Sequence, residues 1–224
     1  MVTGREREVE IRIAALVLGD GHITKNGKLT IKHSISQEGY LDSKASELRG
    51  LGFRVSIRRV APSGYGKQEC VRADTNVDPL LRKMRERFYP YGRKTAPADY
   101  ISKFGWPEWA IVFQDDGRAN VIRHYNVTTK GGSVRKDCEA FVNRYEMSLP
   151  TLSGRETNLI LDRLAELGVE ASLIYQRRTS QYQIAIMKAA SKNRFFDGVL
   201  PHIHQDLAYK IAVRPSCGHA SLND

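Results

Sequence analysis

Ile13-Ala14-Ala15-Leu16-Val17-Leu18-Gly19-Asp20-Gly21 has a counterpart in Trp109-Ala110-Ile111-Val112-Phe113-Gln114-Asp115-Asp116-Gly117, and these two stretches decide the fold. Each reads as the apolar end of a helix. The first begins charged at Glu6 and carries Val9, Ile13, Leu16 and Val17 at helical spacing, and the second opens at Trp106-Pro107. Each is stopped by an acid followed by glycine, Asp20-Gly21 and Asp116-Gly117, 96 residues apart. Alone, Asp-Gly after a helix is ordinary turn chemistry, because glycine takes a positive φ and aspartate bonds nearby backbone. The same ending in two matching contexts asks for a shared reason.

The pattern of elements after each stretch repeats as well. Leu29 to Ile35 alternates, with Leu29, Ile31 and Ile35 on one face and Thr30, Lys32 and Ser34 on the other, as a half-buried strand does. A helix is predicted from Leu41 to Leu51, closed by Gly52. Strands come next at Phe53–Val60 and Gln68–Thr75, joined by a Pro- and Gly-bearing loop, and then a basic amphipathic helix at Val77–Tyr89. In the second half, strands near Val121–Thr129 and Phe141–Leu149 precede a helix from Ser153 to Leu167, whose Ser153 and Glu156 form a capping box. Strands near Val169–Gln176 and Tyr182–Met187 and a helix at Lys188–Leu200 complete it. The expected class is therefore α+β. Two pseudo-symmetric αββαββα repeats with antiparallel sheets occupy residues 1–90 and 106–224, joined by a linker at 91–105.

If the two leading helices pack side by side, as the small Ala14, Ala15 and Ala110 permit, their C-terminal ends bring both carboxylates together. Helix C-termini also expose free carbonyls and a partial negative charge. Oxygen ligands converging there suit a hard cation, Mg²⁺ or another divalent ion such as Mn²⁺, and not zinc. Such a centre could align an attacking water and stabilise the leaving oxygen of a phosphodiester.

The charge agrees with a polyphosphate partner. Lys+Arg outnumber Asp+Glu by 35 to 25, giving +10, with 12 basic and 4 acidic residues between Arg49 and Lys94. Charge alone is equally compatible with simple solubility. At 41% apolar residues the chain can bury a real core, which excludes disorder. No apolar run approaches a membrane span, and Met1 to Glu10 carries no signal region, so the expectation is a soluble intracellular protein of the cytoplasm, nucleoid or organelle matrix. Three widely spaced cysteines, Cys70, Cys138 and Cys217, fit neither a disulfide framework nor a four-ligand zinc site. His202 and His204 lack a third ligand nearby, and Trp106, Trp109 and Phe113 read as core.

The two quoted stretches resemble the signature helices of the LAGLIDADG homing endonucleases, in particular the monomeric, double-motif enzymes encoded by group I introns, and the likeness extends over nearly the whole chain. The resemblance implies a saddle of strands in the DNA major groove and metal-dependent double-strand cleavage of a long, asymmetric target. It implies that Asp20 and Asp116 bind metal, with the carbonyls of Gly19 and Asp115 beside them. It further implies that Lys94 and Lys210 are the basic residues of the two active sites, where a lysine offsets developing charge. Ile111 departs from the pattern, standing where the signature has a small residue.

If the strand faces line the groove, DNA would be touched by Thr30, Lys32, Arg54, Ser56, Arg58, Gln68 and Arg72 in the first half. His124, Asn126, Arg144, Glu146, Gln176, Arg178, Gln181 and Gln183 would form the second set. Arg and Gln suit bidentate contacts with guanine and adenine edges. The expected partner is double-stranded DNA, with intron RNA as a further candidate. The alternative on the same scaffold is an RNA maturase or a non-cleaving DNA-binding regulator, neither of which needs both acids.

Overall fold

The computed structural model describes residues 4–61, 69–130, 133–149, 152–177 and 181–211, and of 124–130 and 133–139 the backbone alone. Helix α1 (Gly4–Leu18) leads to strands β1 (His22–Ile23) and β2 (Leu29–Ser34), helix α2 (Glu38–Gly50), strands β3 (Val55–Val60) and β4 (Cys70–Thr75), and helix α3 (Pro79–Phe88). A short helix α4 (Ala98–Ile101) lies in the connection. The second half then runs α5 (Trp106–Asp116), β5 (Gly117–Lys130), β6 (Ser133–Ser148), α6 (Gly154–Glu166), β7 (Ser172–Gln176), β8 (Gln181–Ile186) and α7 (Ala189–Val199). Two antiparallel four-stranded sheets result, ordered β1-β2-β4-β3 and β5-β6-β8-β7, so the same topology is built twice.

The strands obey the period-2 pattern of the sequence. In β2 Leu29, Ile31 and His33 are buried and Thr30, Lys32 and Ser34 half-exposed. In β3 Val55 and Ile57 turn inward while Ser56 and Arg58 are exposed. Two features go beyond that pattern. Strand β1 forms directly after Gly21, where the sequence shows only a turn, and β5 starts at Gly117 itself and pairs with β6 as one long hairpin from Gly117↔Met147 to Lys130↔Ser133. Backbone pairing carries that ladder through a register shift at Asn120/Val121, a bulge that side-chain alternation alone does not reveal.

The core is centred on α1 against α5. Ala14, Ala15 and Ala110 are fully buried there, and Ile111, the departure from the signature, is only 5% exposed and packed into the same cluster. Trp109 and Phe113 are fully buried, as their spacing implies. Local signals set the flanking helices: Asp78 caps α3, accepting from the Leu80 amide at 2.8 Å with Pro79 in the first turn. The Ser153/Glu156 capping box of α6 forms as expected. Among the described residues no helix is long and apolar enough to cross a membrane.

Both signature glycines are required by packing. The chain folds back over its own helix end, with the Gly21 amide donating to the Leu16 carbonyl at 2.8 Å and the Gly117 amide to the Phe113 carbonyl. A Cβ at Gly21 would lie 2.4 Å from the Leu16 oxygen, and one at Gly117 would lie 2.5 Å from that of Phe113. Because backbone carbonyls cannot step aside, Gly21→Ala is expected to destabilise the protein by about 1–3 kcal/mol, measured by denaturant melts; an unchanged midpoint would contradict this packing.

Candidate active site

The packed ends of α1 and α5 place Asp20 and Asp116 on one cleft of about 280 Å³, whose walls include Gly19, Gly21, His22, Lys94, Leu149 and Leu152. The two lysines singled out in the sequence reach the two helix ends, Lys94 from the connection and Lys210 from the region after α7. Lys94 Nζ donates to the Gly19 carbonyl at 2.7 Å, and Lys210 Nζ donates to the carbonyls of Gln114 at 2.5 Å and Asp115 at 3.0 Å. Each ammonium therefore caps the negative end of one helix. The segments bearing them are anchored by matching positions: Glu156 of α6 accepts from the Ala96 amide at 2.8 Å, while the Tyr40 amide of α2 donates to Asp206 at 3.0 Å.

Burial, reinforced at the acids by like charge, sets the electrostatics. Burial, then Asp20 and Asp115, push the Asp116 carboxyl up to about 7 against the pull of Lys94 and Lys210. Burial and Asp115 likewise raise Asp20. Burial lowers Lys94 and Lys210, opposed by the three aspartates.

Behind Asp20 lies a buried polar cluster that the sequence reading missed. The Asp115 side chain, fully buried, accepts from Lys44 Nζ at 2.5 Å and the Tyr40 hydroxyl at 3.0 Å through Oδ1, and from the Asp20 backbone amide at 2.9 Å through Oδ2. Lys44 also meets His33 Nε2 at 3.1 Å, and His33 Nδ1 stands 3.5 Å from Asp20 Oδ2. Burial and the Lys44 charge lower the His33 ring to about 4, so it is neutral at physiological pH. Burial would raise the Asp115 carboxyl, but Lys44, His33 and the Asp20 amide hold it below the ordinary range. The signals are present in the sequence: Lys44 falls on the apolar stripe of Tyr40, Leu41, Ala45 and Leu48, and His33 on the inward phase of β2. His202 and His204, by contrast, serve helix ends. Gln114 accepts from the His204 amide and donates to the His202 carbonyl, and His204 Nδ1 accepts from the Asp206 amide.

Residues 12–193 match the family model described as the LAGLIDADG DNA endonuclease family. The chain belongs to this family. No curated protein matches it by sequence. Among solved structures it is similar to the homing endonuclease I-WcaI bound to its DNA recognition sequence, at 17% identity over 94% of this chain and 88% of that one, with a TM-score of 0.69. A variant of I-DmoI with its target DNA and magnesium matches at 12% identity over 88% of this chain and 98% of that one, TM-score 0.46.

In this LAGLIDADG protein the outer sheet faces carry most of the side chains expected to meet DNA. Register places Thr30, Lys32, Ser56, Arg58 and Arg72 on one face with Asp74, and Arg144, Glu146, Gln176, Gln181 and Gln183 on the equivalent face of the second sheet. Arg54 is exposed just before β3. Two of these are buried. Glu146 is 1% exposed, bound by Arg118 at 2.6 Å and by Arg144, and Gln183 is 8% exposed and donates to Ser148 at 2.6 Å. The first sheet has a parallel arrangement: Asp74, 3% exposed, gathers Thr30 at 2.8 Å, Arg72 at 2.8 Å and Arg58 at 3.4 Å. Gln68 and Arg178 lie outside the described residues, and His124 and Asn126 stand on β5 outside the described side chains.

The donor set fits a divalent metal made for oxygen: two carboxylates that burial and neighbouring aspartates raise, with two helix-end carbonyls beside them. Among the described residues one group of three acidic, His or Cys side chains comes within ligand reach, Asp20, His33 and Asp115, with its ligand atoms within 4.8 Å. Both side-chain oxygens of Asp115 are already committed to Lys44, Tyr40 and the Asp20 amide, and its carbonyl accepts from Lys210. Between about pH 4 and pH 7 the folded chain holds a proton on Asp116 that the unfolded chain has released, so this group's contribution to stability falls as pH rises through that window. In chelator-treated protein, Asp116→Asn should therefore raise the melting temperature at pH 8 and leave it nearly unchanged at pH 4; equal melting points for variant and parent at pH 8 would count against the crowding.

Proposed function

We propose that the chain is a monomeric, site-specific endonuclease that makes divalent-metal-dependent double-strand breaks in a long asymmetric DNA target. The observation that carries this reading is the convergence, in one cleft, of an acid from each repeat, each beside a helix-end carbonyl that a lysine reaches. One chain supplies both halves of the centre, so no second copy is required. Asp20 and Asp116, with the carbonyls of Gly19 and Asp115, would hold Mg²⁺ or Mn²⁺. Such an ion supplies Lewis acidity and an activated water at the scissile phosphate. Lys94 and Lys210 sit where they offset charge that develops on the phosphate.

The two outer faces carry different side chains, with Thr30, Lys32, Arg58 and Arg72 on one and Arg144, Gln176, Gln181 and Gln183 on the other, which supports a target without twofold symmetry. Its work lies wherever the host DNA lies, in cytoplasm, nucleoid or organelle matrix.

Selection from a randomised DNA pool with magnesium tests the reading. Asp20→Asn and Asp116→Asn should each cut at least about 100-fold more slowly, since a metal contributes several kcal/mol to the transition state, while binding to the selected target persists. Undiminished double-strand cutting by both variants sinks the proposal. Binding of DNA or intron RNA by the unaltered chain with no cutting of any target would favour the non-cleaving regulator or the maturase.

A further inference from the structure

The two repeats coincide in topology but not in what lies behind their acids. Pairing of His22 with Thr30 and of Arg118 with Glu146 aligns the two sheets, and Leu51-Gly52 ends α2 as Leu167-Gly168 ends α6. On that alignment Lys44 corresponds to Ile160, His33 to Leu149, and Asp115 to Gly19. One repeat places a buried lysine where the other has a fully buried isoleucine. The partner of that lysine is a carboxylate from across the pseudo-twofold axis, where the opposite helix end has glycine. Gly19 admits it: a Cβ there would lie 2.2 Å from Asp115 Oδ2.

We infer that Lys44, Tyr40 and the Asp115 side chain form a one-sided clamp that positions Asp20 and makes the two cleavage centres unequal, so that one DNA strand is cut faster than the other. The inference rests on the endonuclease reading. Lys44 and Tyr40 fix Asp115 Oδ1, Oδ2 then holds the Asp20 amide, and His33, which Lys44 also touches, stands at the Asp20 carboxylate. The Asp20 carboxylate is thereby located from both its backbone and its side chain. Among the described residues Asp116 has no such clamp: the positions matching Asp115, Lys44 and His33 are Gly19, Ile160 and Leu149, none with a polar side chain, and Glu156, which matches Tyr40, is held by the Ala96 and Ser153 amides instead. Lys44, Tyr40 and Asp115 are positioning residues, and outer groups of this kind typically change activity by about 10–100-fold.

The test copies the second repeat into the first. Lys44→Ile with Asp115→Gly recreates the Ile160 and Gly19 pair, removes both buried charges together, and leaves the residue-115 carbonyl in place, so folding is preserved where either single change would strand a charge. Strand-resolved single-turnover cleavage by the unaltered chain should show unequal rates, and the double variant should move their ratio by about tenfold toward unity. Tyr40→Phe, which removes only a hydroxyl, should move the ratio the same way by less. Without DNA or metal, the Asp20 amide should exchange hydrogen slowly in the parent and about tenfold faster or more in the double variant. A strand ratio that stays put in both variants, or two rates that fall in equal proportion, overturns the clamp while leaving the endonuclease reading intact. Absence of any cutting by the unaltered chain overturns both.

Discussion

Two helices ending at the same point is an electrostatically awkward arrangement, and much of this molecule answers it. The ends of α1 and α5 bring together free carbonyls, two half-exposed or cleft-lining carboxylates and a third that is fully buried. The packing that forces them together is apolar and non-negotiable, with Ala14, Ala15, Ala110 and Val112 fully buried between the repeats. Three lysines from three separate segments then supply the compensating charge: Lys94 from the connection, Lys210 from the region after α7, and Lys44 from α2. Hydrophobic burial fixes the geometry, and the charges that it strands become the chemistry.

The helices and strands were legible because their periodicities are clean and their stops are explicit. The double motif, the capping box at Ser153 and the alternation of β2 and β3 each have a local cause, and local causes can be read from sequence. The acids and both helix-capping lysines were also reached, through the repeat and the family likeness. The features that escaped are non-local. Lys44 and His33 are polar residues in apolar phase, but the reason for them, a carboxylate arriving from 71 residues away, exists only after the repeats dock. The two strands of the β5/β6 hairpin are legible near Val121–Thr129 and Phe141–Leu149, but not their full length, because backbone pairing across a bulge leaves no trace in side-chain alternation. Glu146 shows the limit of strand-phase reasoning. Phase put it on the outer face, correctly, yet two arginines fold over it and bury it.

The connection between repeats is more than a tether. It carries Lys94, and its Ala96 amide is held by Glu156, the same glutamate that closes the capping box of α6. Position 40 in the first repeat does the equivalent for the segment bearing Lys210. Each half thus secures the lysine of one helix end by the first turn of a helix from the opposite half, and the two centres are interlaced rather than adjacent. Loosening of either repeat should be felt at both.

Asp74 and Glu146 impose a grammar on the surface around them. Each is a nearly buried carboxylate whose charge is balanced by the basic side chains lying over it, Arg58 and Arg72 with Lys28 in one sheet and Arg118 and Arg144 in the other. Replacing one of these arginines would strand a carboxylate with part of its compensation gone, so single changes at these positions are penalised by stability before any ligand is involved. Variation across these faces should therefore travel in coordinated sets, an acid and its arginines changing together. A lineage or a designer altering what this surface recognises would move in blocks of three or four residues, not one letter at a time.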